Sequence, residues 1–203
     1  MIALHQLFPL GPWWSGRGPF RLLAGLLCLL GVLQMALGAM VPAKAALAQM
    51  LLDRAFARSL ATHHPQKPWP WADMAPVARI TVPRLDITRT VLSAGSGQAM
   101  AFAPTLLPGT AAPGAAGVTV IAAHRDTHFR FLAALQSGDV VTVQGLDGAT
   151  HRYRVTGHEV VRWDHFALPS EGFDNQLALS TCYPFEAMGH GPLRYVVWAA
   201  PVD

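Results

Sequence analysis

Hydrophobic positions along the chain follow three successive regimes. From residue 22 to 41 they form an unbroken run of twenty residues with no charge and one strongly polar side chain, Gln34. At about 1.5 Å per residue such a run is long enough to cross a bilayer core as a helix. From 42 to 61 the apolar residues Ala45, Ala46, Leu47, Met50, Leu51, Phe56 and Leu60 recur at helical spacing, which predicts that the helix continues beyond the apolar run. The stretch 62–76 breaks that pattern with four prolines, adjacent His63 and His64, and the pair Trp69/Trp71, a composition that favours extended backbone. The histidines are expected in solvent, and the tryptophans either at a bilayer interface or capping the domain.

Beyond residue 77 the period shortens. Runs rich in β-branched residues, punctuated by Gly, Pro and Asp, predict strands over 77–82, 87–92, 118–123, 140–144, 151–156, 159–163, 177–182 and 193–199. Gly145-Leu146-Asp147-Gly148 reads as a hairpin turn, and 129–136 as one short helix. Eight short strands suggest a closed barrel, which removes the exposed edges that an open sheet has to protect. The resulting organisation is a cytoplasmic N-terminus (1–21), a transmembrane signal anchor (22–41), a juxtamembrane helix and linker (42–76), and an all-β domain (77–203).

Composition agrees with a membrane segment joined to a loop-rich domain: 52% of residues are apolar and 13% charged, with 16 prolines and 18 glycines. The net charge of +3 is scattered and does not alternate with aromatics, so no nucleic-acid groove is expected. Arg17 and Arg21 precede the apolar run and no acid does, which places the N-terminus in the cytoplasm and exports the remainder. Lys44, Arg54 and Arg58 on the far side weaken that asymmetry. A cleaved signal peptide is the alternative, with small residues around Lys44 at suitable spacing, although a run of this length exceeds a signal core.

Two cysteines occur, and Cys28 sits inside the apolar run, so an exported Cys182 has no disulfide partner. Cys182 is then either buried and inert or kept for its reactivity. It ends the run 177–182 just before Tyr183-Pro184, His124 ends the run 118–123, and Arg194 opens the last strand after Gly189-His190-Gly191-Pro192. Strand ends beside loops are where a rigid scaffold displays reacting groups. A thiolate attacks carbonyls, a nearby cation favours the thiolate, and a fixed guanidinium can stabilise an oxyanion. Asp126 either orders the loop after His124 or serves as a third acid. The spacing of His124 and His128 is that of helical zinc ligands, but the adjoining Glu is missing. No metal or other cofactor is expected, and no dense acidic cluster supports calcium.

The segments Ala123-His124-Arg125-Asp126-Thr127, Thr181-Cys182-Tyr183-Pro184-Phe185 and Arg194-Tyr195 resemble, in order and context, those of sortases, above all the class D and Gram-negative ones. The resemblance covers about residues 69–200 and the N-terminal anchor. It implies a sortase-type β-barrel with Cys182 as nucleophile, His124 as proton partner and Arg194 as electrostatic helper. Thr181, Ser180, Tyr183 and Asp126 are implied near the substrate. The implied partners are a secreted client with an LPXTG-like C-terminal sorting signal, an amine acceptor of the cell envelope, and the membrane. Specificity is expected from the connections 163–176 and 183–192. Two departures are Ala123, where the family usually has Gly, and Ser180, where Val or Ile is common. An L,D-transpeptidase would need a Ser-His-Gly-Cys signature that is absent, a papain-like protease places its cysteine before its histidine, and a non-enzymatic anchored barrel would use Cys182 for packing.

Overall fold

A computed structural model describes residues 17–93, 98–166, 175–187, 189 and 191–202. The chain divides into two compact units at Ala46/Leu47. Helix α1 (Arg17–Thr62) runs through that division, with Pro42 inside it. In the first unit its side chains are exposed from Gly18 to Ala46 apart from the half-buried Ala24, including Phe20, Leu22, Leu26, Leu29 and Leu33. An apolar helix surface of this extent is stable in lipid, where the helix satisfies its own backbone, and α1 is a candidate membrane span.

In the second unit, α1 residues belong to the packed body. Leu52 is fully buried with Ala72, Met74, Leu92, Ala99 and Ala103, against Trp69 and Phe102. The ring of Trp69 meets that of Phe102 edge-on at 5.4 Å, so Trp69 caps the domain, whereas Trp71 is 83% exposed. His63 and His64 are exposed, and the His63 ring lies 2.9 Å from the Leu146 carbonyl.

The strands are β1 (Pro76–Val82), β2 (Ile87–Ser93), β3 (Thr105–Leu106), β4 (Val118–Ala122), β5 (Val140–Gly145), β6 (Thr150–Arg162), β7 (Gln176–Tyr183) and β8 (Leu193–Pro201). They close into a barrel in the order β1-β2-β3-β4-β7-β8-β6-β5. The pairs β2/β3 and β4/β7 are parallel and the rest antiparallel. Side chains alternate between faces with period two. Ile80, Ile121, Val143, Tyr153, Leu177, Leu179 and Val197 therefore point inward, and Phe129, Leu132 and Leu135 join them from the β4–β5 connection.

Three details differ from the expected elements. The runs 151–156 and 159–163 form one strand, because Gly157 does not end β6: a register shift between Val155 and Gly157 absorbs it, as a β-bulge does. The expected short helix is a 3-10 turn at Arg130–Ala134. Strand β3, two residues long, carries no alternation from which it could be foreseen. The hairpin at Gly145–Gly148 forms as expected, with Gly148 at φ +83° and Ala149 N donating to Asp147 Oδ1 at 3.0 Å. The connection 163–176 lies for the most part outside the described residues.

Candidate active site

The sheet register assembles the site. Strands β4, β7, β8 and β6 are neighbours in that order, and partnered residues share a face. Val120, Ala178 and Trp198 form one row across them, and Ala122, Ser180, Val196 and Glu159 the next. In the third row Cys182 is partnered by Arg194, and Arg194 by Val161. Strand β4 ends at Ala122, partnered with Ser180, and His124 follows two residues later in the connection after β4. Cys182 and Arg194 thus face each other across β7 and β8 on the outer face of the barrel, and His124 lies just past the end of the strand that neighbours β7.

The first two rows floor this face with apolar surface. Val118, Val120, Ala178 and Val196 are buried under Leu107, Val161, Phe166 and Trp198. The indole of Trp198 donates from Nε1 to Glu159 Oε1 at 2.7 Å. Cys182 is free and half-buried, His124 is exposed and Arg194 half-buried, so all three can meet a substrate. Arg194 Nη1 donates to the carbonyls of Gly191 and Leu193, both at 2.9 Å, and among the described residues it forms no ion pair. Its charge is therefore oriented by neutral dipoles without being cancelled.

The other residues singled out in the sequence divide between the two faces. Ser180 shares the face of the thiol and is 8% exposed. Thr181 points away from it, is 2% exposed, and donates from Oγ1 to the Ala123 carbonyl at 2.7 Å. Together with Ala123 N on the Ser180 carbonyl at 3.2 Å, this bond fastens the end of β4, and hence His124, to the cysteine strand. Tyr183 also lies on the far face, stacked on Tyr195 at 6.0 Å; Tyr195 in turn stacks on His158 at 4.8 Å and meets Phe185 edge-on at 5.1 Å. Burial, reinforced by Tyr183, pushes the Tyr195 phenol up and keeps it neutral. Asp126 is exposed and makes no hydrogen bond or ion pair with a described residue.

His128 is half-buried. Burial pushes its imidazole down, opposed by a hydrogen bond with the Ala101 backbone. Among the described residues no group of three or more His, Cys, Asp or Glu side chains is arranged to hold a metal. Sequence reasoning passed over Arg125, which is 9% exposed and donates from Nη2 to the carbonyls of Ala187 and, at 2.6 Å, Gly189. An arginine directly after a strand-ending histidine carries no periodic signal, and its burial depends on a loop more than sixty residues away. The apolar floor was equally hidden, since its members come from four strands and two connections.

Comparison with known proteins bears on the fold and the family. Over 87 residues, 42% of this chain and 43% of the relative, the chain is 31% identical to Sortase D of Bacillus subtilis (strain 168), so the match spans less than half of that protein. Its fold is similar to that of sortase A from Corynebacterium diphtheriae, with a TM-score of 0.57, 25% identity, and coverage of 66% of this chain and 63% of that one. It is also similar to sortase C from Clostridium perfringens, with a TM-score of 0.58, 19% identity, and coverage of 79% and 90%; at that identity the likeness concerns the fold. The model of the Sortase domain matches residues 80–202, the whole barrel from within β1 to the end of β8, and the chain belongs to the sortase family.

Proposed function

We propose that this chain is a membrane-anchored cysteine transpeptidase. It cleaves an LPXTG-like sorting signal near the C-terminus of a secreted protein and passes the upstream part to an amine acceptor of the cell envelope. The observation that supports it is the cross-strand pair of Cys182 and Arg194, with His124 just past the end of the strand that neighbours β7, on a face with an apolar floor. The Clostridium perfringens sortase C, whose fold this chain shares, has a structure with the C-terminal cell wall sorting motif.

In this reading the signal lies along the outer face, its apolar side chains against the partly exposed Leu107, Val161, Phe166 and Trp198 and its threonine carbonyl at the thiol. Cys182 Sγ attacks the carbonyl carbon while Arg194 donates to the oxygen as it gains charge. The C–N bond then breaks, His124 gives its proton to the departing amine, and a thioester remains on Cys182. An incoming amine, deprotonated by His124, attacks the thioester, the C–S bond breaks, and Cys182 leaves as thiolate beside a protonated His124, the state from which the cycle began. The histidine gives one proton in the first half and takes one back in the second, so a single imidazole serves both. The N-terminus lies in the cytoplasm, α1 crosses the membrane, and the barrel works outside it.

The test is mass spectrometry of the full chain in detergent, mixed with LPXTG-like peptides, beside Cys182→Ala. The expected result is an adduct equal to the peptide cleaved after threonine, absent from the variant. If a varied peptide set gave no adduct while Cys182 still reacted with a thiol probe, this substrate class would be wrong. An inert Cys182 in a folded chain would remove the enzymatic reading altogether.

A further inference from the structure

Enclosing a guanidinium is costly unless its donors are met, and Arg125 is enclosed beside the histidine without a carboxylate partner among the described residues. Its Nη1 is buried without a hydrogen-bond partner among the described residues, and what its Nη2 meets is backbone. Its Nη2 carries two hydrogens and donates to two carbonyls, Ala187 and Gly189, in the connection between β7 and β8. The next carbonyl but one, Gly191, accepts from Arg194 Nη1 at 2.9 Å. Carbonyls 187, 189 and 191 are thus shared between two arginines, one attached to the His124 segment and one partnered with Cys182 across the sheet.

We infer that Arg125 is a positioning residue that fastens the β7–β8 connection to the histidine segment and, through the Gly191 carbonyl, sets where Arg194 points. The catalytic part of this inference rests on the reading of Arg194 given above; the mechanical part does not. A lysine ammonium also has hydrogens for two carbonyls, but it sits on a shorter, flexible stem without the planar group that fixes the direction of Nη2. An uncharged side chain of similar length could hold neither. When the fastening is lost, Arg194 keeps its charge and loses its fixed direction, which lowers transition-state stabilisation more than peptide binding.

The experiment compares the full chain in detergent with Arg125→Met and Arg125→Lys by millisecond-to-second hydrogen exchange, single-turnover acylation with LPXTG-like peptides, and alkylation of Cys182 by iodoacetamide. Exchange across 183–192 is expected to speed up about tenfold in Arg125→Met and less in Arg125→Lys, with β1, β2, β5 and β6 unchanged. The maximal acylation rate is expected to fall about 10- to 100-fold in Arg125→Met, with partial recovery in Arg125→Lys and little change in the half-saturating peptide concentration. Alkylation, which needs no oxyanion partner, is expected to keep its rate.

Unchanged exchange at 183–192 would overturn the proposal. So would faster exchange throughout the barrel in both variants, or failure of both to fold, because Arg125 would then be a residue of the fold as a whole. An equal fall in alkylation would place its effect on the thiol and overturn the assigned route. If the unsubstituted chain cleaves none of the peptides, the substrate reading fails by itself, and the exchange at 183–192 still decides the role of Arg125.

Discussion

Replacing Phe56 by alanine tests whether the last turns of α1 belong to the barrel's own core. The Phe56 ring is 1% exposed, and the Arg79 guanidinium of β1 sits 4.4 Å above its centre. Arg79 is held there by Asp53 Oδ1 at 3.3 Å, which also accepts from Thr90 Oγ1 of β2 at 3.0 Å. Truncating a buried Phe to Ala costs about 3–5 kcal/mol from lost transfer energy and the cavity left behind. The cation–π contact makes up about 0.5–1 kcal/mol of that figure. Against a typical domain stability of about 5–15 kcal/mol, this is more than half at the lower end and up to about a third at the upper. Phe56→Leu keeps most of the burial and is expected to cost about 1–2 kcal/mol, chiefly the contact with Arg79 and imperfect filling.

The assay is urea unfolding of the full chain in a non-ionic detergent, followed by tryptophan fluorescence, with the slope held common between variants. A loss below about 1 kcal/mol in Phe56→Ala would refute the reasoning, since a helix that merely rests on the barrel can let go of a ring at little cost. The practical corollary is that a soluble catalytic fragment should begin at Leu47. One starting at Trp69 would uncover Met74 and Leu92, which Leu52 buries.

Arg194→Lys and Arg194→Ala should leave thermal unfolding close to that of the unsubstituted chain, because the side chain is half-buried and bonds only to carbonyls near its own strand, while single-turnover acylation falls about 10²- to 10³-fold. Thr181→Val removes the bond to the Ala123 carbonyl and should cost about 1–2 kcal/mol in urea unfolding, with acylation reduced because the end of β4 carries His124. Asp139 is held well below the usual carboxylate range by Arg84, with a further bond from Gln136 N. A lowered folded value means that its stabilisation is fully present above the unfolded value near 3.9 and is lost as pH falls through the folded one. The stability-versus-pH curve of Asp139→Asn should therefore lie below that of the unsubstituted chain at neutral pH and converge on it in acid. Parallel curves would show that the pairing with Arg84 is not the source.

The sequence by itself determined the long apolar helix and the barrel class and singled out three candidate reacting side chains, because each has a local signature. Twenty uncharged residues mark a membrane span, period-two runs of Val, Ile and Thr mark strands, and Cys182, His124 and Arg194 each end or open such a run beside a Gly- or Pro-bearing loop. Even there, Gly157 read as a break between two strands, since a bulge and a turn use the same residue and only pairing with β8 distinguishes them. The tertiary structure decided what depends on register. Parallel pairing of β4 with β7 brings the end of β4, which His124 follows, to the cysteine strand, antiparallel pairing of β7 with β8 sets Arg194 opposite Cys182, and alternation turns Ser180 toward the site while sending Thr181 and Tyr183 behind it. It also decided that Leu52 and Phe56 belong to a core otherwise built from residues beyond 68, and that Arg125 is buried by carbonyls more than sixty residues away. Those contacts join segments distant in sequence, and a one-residue change in strand pairing would reverse every one of their facings, so no local pattern could encode them.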